Sequence, residues 1–293
     1  MASAPETVED RPHHGILLML GAWFMFSLVD TGAKWLALAG VAAFQLAFMR
    51  YFGHFVISFG LAIRDGLTMD ILRTGHPWQV ITRAMLLISA TISNFYVLQF
   101  LPLTVTAAIM FSSPVIVCFL SIWLLKEQVG PWRIGAILLG FVGVLIIIRP
   151  FGTAFHPTML MVVYNATALA LYSIMTRQLA GVVSTDKMQF FMGFLGTATL
   201  LPFVIFVWEN PATSLDWIIL ISIGVFGWAG HQMLTVAHRF ATANTLMPFT
   251  YSFMIYLAIL SFFVFEHVPD VWTILGALVV VTSGLIIWKR ESR

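Results

Sequence analysis

Charge is scarce in this 293-residue chain: Asp, Glu, Lys and Arg together make up 10% of it, against 60% hydrophobic residues. A soluble domain cannot hide that much apolar surface without exposing large patches, so a water-soluble globular fold is excluded. Cysteine occurs once, at Cys118 in mid-run, which excludes an intramolecular disulfide and a cysteine-clustered metal site. His-x-x-His and His-x-x-x-His spacings are missing, so no metal is expected. No Gly-x-x-x-x-Gly-Lys segment occurs and no polar stretch is long enough for a nucleotide domain, so no ATP-binding site is expected. A membrane enzyme needs His, Asp or Glu clustered near the interface. Here His13-His14 lie in a polar tail and the other histidines are scattered, so neither catalysis nor a cofactor is expected. The formal net charge of +2 belongs to short loops and gives no reason to expect nucleic acid.

What fills the chain is apolar sequence in ten stretches, 15–36, 42–63, 79–100, 103–125, 132–149, 157–178, 187–208, 216–237, 244–265 and 271–288. A helix of about 20 mostly apolar residues crosses a bilayer. Lipid offers backbone groups no partner, so the runs read as helices, and the short alternating strands of a barrel are not seen. The expected fold is all-α, a polytopic membrane protein with ten transmembrane helices. Residues 1–14 read as a disordered cytoplasmic tail, and the run at 15–38 lacks a small-residue cleavage pattern, so it is expected to be retained. With a cytoplasmic N-terminus, twelve of the 15 Lys and Arg residues fall on the cytoplasmic side, Arg83 among them. Lys34 and Arg149 lie near outer ends and Arg50 inside the second span. That bias predicts both termini in the cytoplasm.

The chain repeats itself. Gly135-Ala136, Gly143 and an apolar run to Arg149 match Gly276-Ala277, Gly284 and a run to Arg290 at the same spacing. Glu127 and Glu266 close spans four and nine, each shortly before a tryptophan, Trp132 or Trp272. Gln45 aligns with Gln189. Two five-helix units are expected, 15–150 and 151–293. Five is odd, so the copies enter the membrane from opposite sides, an inverted-repeat architecture used by secondary transporters with substrate held near the midplane between the halves.

These residues resemble the drug/metabolite transporter superfamily, specifically its EamA family. The stretch from Pro114 through Lys126-Glu127, Gly130, Trp132, Gly135-Ala136 and Gly143 is similar to the family pattern after helix four. Met247-Pro248-Phe249-Thr250-Tyr251, Phe265-Glu266 and Gly276-Ala277 are similar to that after helix nine. Arg50-Tyr51-Phe52 resembles the basic residue that members often carry in helix two. Within the family the chain is most similar to the YddG-type amino-acid exporter branch. The resemblance implies a multi-pass carrier of the bacterial cytoplasmic (inner) membrane that exports amino acids, aromatic and other neutral ones among them, by alternating access around a central cavity. Pro248 does not align with Pro114: anchoring on the glutamates puts Phe253 opposite Pro114, so the halves are expected to bend at different depths.

Charge inside a membrane is costly and marks a site. Arg50 in span two is read as meeting a substrate carboxylate or holding a gate, with His54 one turn along the same face. Asp30 and Lys34, spaced i,i+4, are expected to pair locally, with Asp30–Arg50 as the other pairing. Amides, imidazole and phenols are costly to bury without purpose, which selects Asn94, Tyr164, Asn165, His231, Gln232 and Tyr251 as cavity residues. Trp23 and Trp228 sit in mid-span, away from the interfacial belt, where rings stack on a substrate. Pro114, Pro248 and Gly227 are the expected bending points. Asp30, His54 and His231 are the intramembrane groups able to change charge, and their paucity favours facilitated diffusion or exchange over proton coupling. The expected partners are a small-molecule substrate and the lipid bilayer, with the carrier a monomer. An exporter of cationic drugs or other metabolites, or a lipid flippase, is the alternative on the same fold. A drug exporter would favour an acid in an aromatic cavity, and the conspicuous buried charge here is Arg50.

Overall fold

The computed structural model describes residues 11–64, 75–124, 131–149, 155–179, 182–241 and 246–291. Among them the chain is helical throughout: α1 (Pro12–Leu38), α2 (Ala43–Arg64), α3 (Pro77–Val97), α4 (Leu103–Met110), α5 (Ser113–Leu124), α6 (Pro131–Ile148), α7 (Thr158–Leu179), α8 (Thr185–Val207), α9 (Ser214–Phe240), a 3₁₀ turn (Met247–Tyr251), α10 (Ser252–Phe265) and α11 (Val271–Glu291). Helices α1, α2, α3, α7, α8 and α9 are each long and apolar enough to cross a membrane, and the rest are shorter apolar helices. Ten spans are accommodated, because α4 with α5 makes one and the 3₁₀ turn with α10 another. Helix α1 starts at Pro12, three residues before the expected boundary. Most of the 1–14 tail, and Lys126, Glu127 and Gly130, lie outside the described residues.

Local chemistry sets the helix ends. Proline opens α1 and α3, where its missing N–H costs nothing. Ser184 caps α8, and Thr213 with Asp216 forms a reciprocal capping box on α9. Helix α1 ends on Gly40 at φ +94°, with Gly40 N–H bonded to Ala37 O and Val41 N–H to Leu36 O. This is the left-handed stop that glycine permits.

Two spans are broken. The fourth stops at Met110 and restarts at Ser113, just before Pro114, which has no N–H to donate to Met110. The ninth begins as the 3₁₀ turn, with Pro248 in its first positions. The expectation of bends at different depths is corrected here. With Glu127 laid over Glu266, residues 247–251 fall on 108–112, so the irregular stretches coincide although the prolines do not. They meet in space: the rings of Phe111 and Tyr251 are 5.2 Å apart. Gly227, the third expected bending point, lies inside a continuous α9, and α8 also runs unbroken through Pro202.

Helices of the first half pack chiefly on the second: α1 along α9, α2 on α8 and α9, α3 on α7, α4 on α7 and α10, and α6 on α11. One buried cluster, including Leu36, Leu46, Tyr51, Phe95, Met192 and Leu220, joins α1–α3 to α8 and α9. A second, around Ile109, Ile147, Val162 and Val280, joins α4 and α6 to α7 and α11. Backbones touch at two crossings. A Cβ on Gly53 would stand 2.8 Å from Gly224 Cα, and one on Gly143 2.9 Å from Gly276 O. Small residues permit such approach. Ser283 adds a hydrogen bond to Ala136 O at 2.6 Å across the α6–α11 pair.

Gly53→Ala or Gly224→Ala should therefore destabilise the bundle by about 1–3 kcal/mol through overpacking. Gly227→Ala, whose Cβ would meet Arg50 Cγ at an ordinary 3.5 Å, should be neutral. Thermal midpoints of the three variants in detergent check this, and equal midpoints would refute the crossing.

Candidate functional site

The polar groups of the spans converge where α1, α2, α3, α7 and α9 meet. Arg50 donates from Nη1 to Thr91 Oγ1 at 3.1 Å, and the Tyr51 hydroxyl bonds the same oxygen at 2.9 Å. The guanidinium lies near the rings of Tyr51 and Phe95, at 5.8 and 5.9 Å from their centroids. It is half-buried, and among the described residues its one hydrogen bond is that to Thr91. Asn94 donates to Asp30 at 3.2 Å. With its amide turned to satisfy both ends, Asn165 donates to Met161 O at 3.1 Å and Ser93 Oγ at 2.9 Å and accepts from Asn94 N–H at 3.3 Å. Among the described residues Asp30 and Arg50 form no contact ion pair.

An aromatic seam runs beside this network. Trp23 contacts Phe26 at 5.6 Å and Phe253 at 5.3 Å. Phe26 meets His231 edge-on at 4.9 Å, and His231 meets His54 at 5.9 Å. Trp23 Nε1, His54 Nε2 and His231 Nε2 are buried with no hydrogen-bond partner. Most buried polar groups are satisfied, so three orphans along one seam make it the candidate site.

The structure thus brings together Trp23, Asp30, Arg50, His54, Asn94, Asn165 and His231. It leaves others apart. The expected Asp30–Lys34 pair is not formed: Lys34 Nζ instead donates to Leu98 O at 2.8 Å and Leu101 O at 2.7 Å. The cause is the end of α3, whose last carbonyls have no partner in the helix and attract a cation. Tyr164 is 47% exposed and bonds Ser89 on α3, apart from the Arg50 network. Gln232 is exposed, and Trp228 is half-buried, with no ring contact among the described residues. Tyr251 packs at the helix break.

Sequence reasoning placed Arg83 with the cytoplasmic charge. It is 3% exposed, donating from Nε to Thr176 Oγ1 at 2.6 Å and from Nη2 to the Tyr172 hydroxyl at 2.5 Å. Its position about 9 Å along α3 was the available signal. Gln45, fully buried, was missed as a clamp: it donates to Glu209 O at 2.7 Å and accepts from Glu209 N–H at 3.0 Å. At the same end Trp35 donates to Asp216 at 2.9 Å. A crevice of about 290 Å³ there is lined by Lys34, Leu38, Phe100, Leu101, Pro102, Phe265 and His267, but its one cation already serves carbonyls.

A bundle of apolar helices around a partly unsatisfied polar interior fits a polytopic membrane protein. Comparisons with known proteins define it further. The model of the EamA-like transporter family matches residues 13–149 and again 156–289. The chain belongs to this family of multi-pass membrane transporters. It is 27% identical to the S-adenosylmethionine uptake transporter of Rickettsia bellii, over 92% of this chain and 94% of that one. It is 26% identical to the riboflavin transporter of Brucella anthropi, over 94% and 98%. It is also 26% identical to the pseudopaline exporter CntI of Pseudomonas aeruginosa, over 97% and 99%. A solved crystal structure superposes with a TM-score of 0.65 at 16% identity, over 95% of this chain and 99% of that one, which shows the shared fold.

One ion pair can be tested by pH. Arg149, at φ +46°, reaches Asp270 at 2.6 Å ahead of α11. Burial raises the Asp270 carboxyl, but hydrogen bonds from Thr273 and Arg149 outweigh this and hold it below the ordinary carboxylate range. The contribution is fully present above that range and lost as pH falls through the depressed value. Both side chains are partly exposed, so it is worth about 0–1 kcal/mol. Asp270→Asn should lower the thermal midpoint slightly at neutral pH, and the gap to wild type should close on acidification.

Proposed function

We propose that the chain is a secondary carrier for a carboxylate-bearing, amino-acid-type metabolite, working by alternating access around the Arg50 seam. One observation carries this reading: a half-buried guanidinium, fixed by Thr91 and held at a distance from its one acid, beside aromatic rings and unpartnered N–H groups. A carboxylate meets Arg50 as a charge-assisted pair. Trp23, Phe26 and Phe253 offer faces to an apolar or planar side chain. Asp30, already held by Asn94, stands ready for an ammonium group.

The relatives support a metabolite cargo over a lipid or a drug. S-adenosylmethionine is itself an amino acid with a planar ring system. Their names include both uptake and export, so direction here follows the gradients, in exchange or facilitated mode, and the YddG-type export of neutral amino acids is one case of that. The two halves act as an inverted pair in the bacterial cytoplasmic membrane, both termini inside. The exchange of contacts between them supports this, α1 with α9 answering α3 with α7, as does the meeting of the two broken spans. A cationic-drug carrier fits less well, because the site's uncommitted charge is positive.

Counterflow into proteoliposomes tests the proposal. Vesicles loaded with unlabelled phenylalanine, threonine or S-adenosylmethionine should accumulate the matching trace label without an imposed pH gradient. Arg50→Ala should weaken apparent affinity about 10- to 100-fold, the worth of a hydrogen bond to a charged group, and Arg50→Lys should recover part of it. Movement of amphiphilic cations or lipids, with no amino-acid solute moving, would overturn the reading.

A further inference from the structure

Thr31, Thr167, Thr197 and Thr235, each inside a helix, donate to the carbonyl four residues back at 2.7–2.9 Å. A hydroxyl in a helix commonly spends its proton this way. Thr91 in α3 departs from the pattern. Among the described residues its hydroxyl partners are Arg50 Nη1 at 3.1 Å and the Tyr51 hydroxyl at 2.9 Å, both on α2. Thr91 is 3% exposed and Tyr51 2%, so both groups are enclosed by the protein. The Tyr51 ring is seated in turn by α8 of the other half. A Cβ on Gly196 would stand 2.6 Å from Cδ1 of that ring and 2.8 Å from the Tyr51 Cβ, so the ring fills the place of a side chain there. Gly193, one turn away, brings α8 against the α2 backbone: its Cβ would lie 3.0 Å from Phe55 Cα.

A guanidinium on a long stem loses rotamer freedom when a ligand fixes it, so a site that holds it beforehand binds more tightly. Thr91 holds Arg50 by a direct bond. Tyr51 holds Thr91 by giving its hydroxyl a partner outside its own helix. We infer that Tyr51 and Thr91 are positioning residues that set the Arg50 guanidinium where a carboxylate meets it, with Gly196 of α8 seating the tyrosine. The inference rests on the proposed carboxylate at Arg50 and adds what fixes the cation there. It also gives the second half a part in recognition. Arg50 and Thr91 belong to α2 and α3, but the ring that orders them is set by α8.

The first test is competition binding on the purified full-length protein in detergent. Labelled phenylalanine or threonine is displaced by the same amino acid as free acid or as methyl ester, and Arg50→Ala marks the ratio expected when the carboxylate goes unrecognised. Thr91→Val, close in shape but without the hydroxyl, should cut the acid's advantage over the ester about 10-fold, the lower end of what a hydrogen bond to a charged group is worth. Tyr51→Phe should cut it by less, Gly196→Ala should act in the same direction by displacing the ring, and Thr91→Ser should keep it. Equal weakening of acid and ester, the mark of a packing role, would overturn the inference. An advantage that survives Thr91→Val but not Arg50→Ala would overturn it too and leave the carrier reading standing. The second test needs no solute. Losses of thermal midpoint from Arg50→Met and Tyr51→Phe should be non-additive, and additive in a Thr91→Val background, because the coupling runs through that hydroxyl. Additive losses with Thr91 in place would overturn the inference. If the coupling is found and neither amino acid is bound, the carrier reading fails alone.

Discussion

Hydrocarbon supplies no hydrogen bonds, so every polar group taken into this bundle is answered by the protein or left waiting for something else. That constraint explains where the helices sit. Lys34 turns to the open carbonyls at the end of α3 and holds α1 against the α3–α4 turn. Gln45 makes both of its bonds to Glu209 and ties the start of α2 to the chain after α8. Asn165 joins α7 to α3 through Ser93 and Asn94. These ties are costly to break because the freed groups have no water to turn to. A few buried groups among the described residues are left unanswered, and those on Trp23, His54 and His231 fall along the aromatic seam.

Packing makes that interior reachable. Glycine lets α2 and α9 touch backbone to backbone at Gly53 and Gly224, which brings the faces bearing Arg50, His54 and His231 together. The pair α6–α11 is locked the same way at Gly143 and Gly276, with the Ser283–Ala136 hydrogen bond across it. Between these firm crossings lie the two broken spans. Their irregular stretches touch at Phe111 and Tyr251, so any rocking of one half on the other loads two places where the helical hydrogen-bond ladder is already interrupted.

Much of this was legible in the chain. Length and polarity located the spans to within a few residues, because an apolar run long enough to cross a bilayer has few other uses. Pro114 and Pro248 announced the breaks, and Arg50 announced itself by its cost. The facing of each helix was not legible. Lipid and the bundle interior are both apolar, so a span that is hydrophobic all round does not say which side looks inward. Tyr164 and Gln232 were expected in the cavity and are exposed, and Arg83, placed toward the cytoplasmic side of its span, is buried against α7, which its position alone did not show. Lys34 was misjudged for a different reason. An i,i+4 acid is a local signal, and two open carbonyls from a helix end distant in sequence outweighed it. Tertiary partners of this kind are invisible to spacing rules.

The central claim is that Arg50 recognises a carboxylate. It is tested most directly by equilibrium binding of a labelled amino-acid solute to the purified protein, with the unlabelled free acid or its methyl ester as competitor. The account predicts that the acid displaces the label, that the ester competes far more weakly, and that Arg50→Ala removes the difference between them. An ester that competes as well as the acid on the wild-type protein would contradict it.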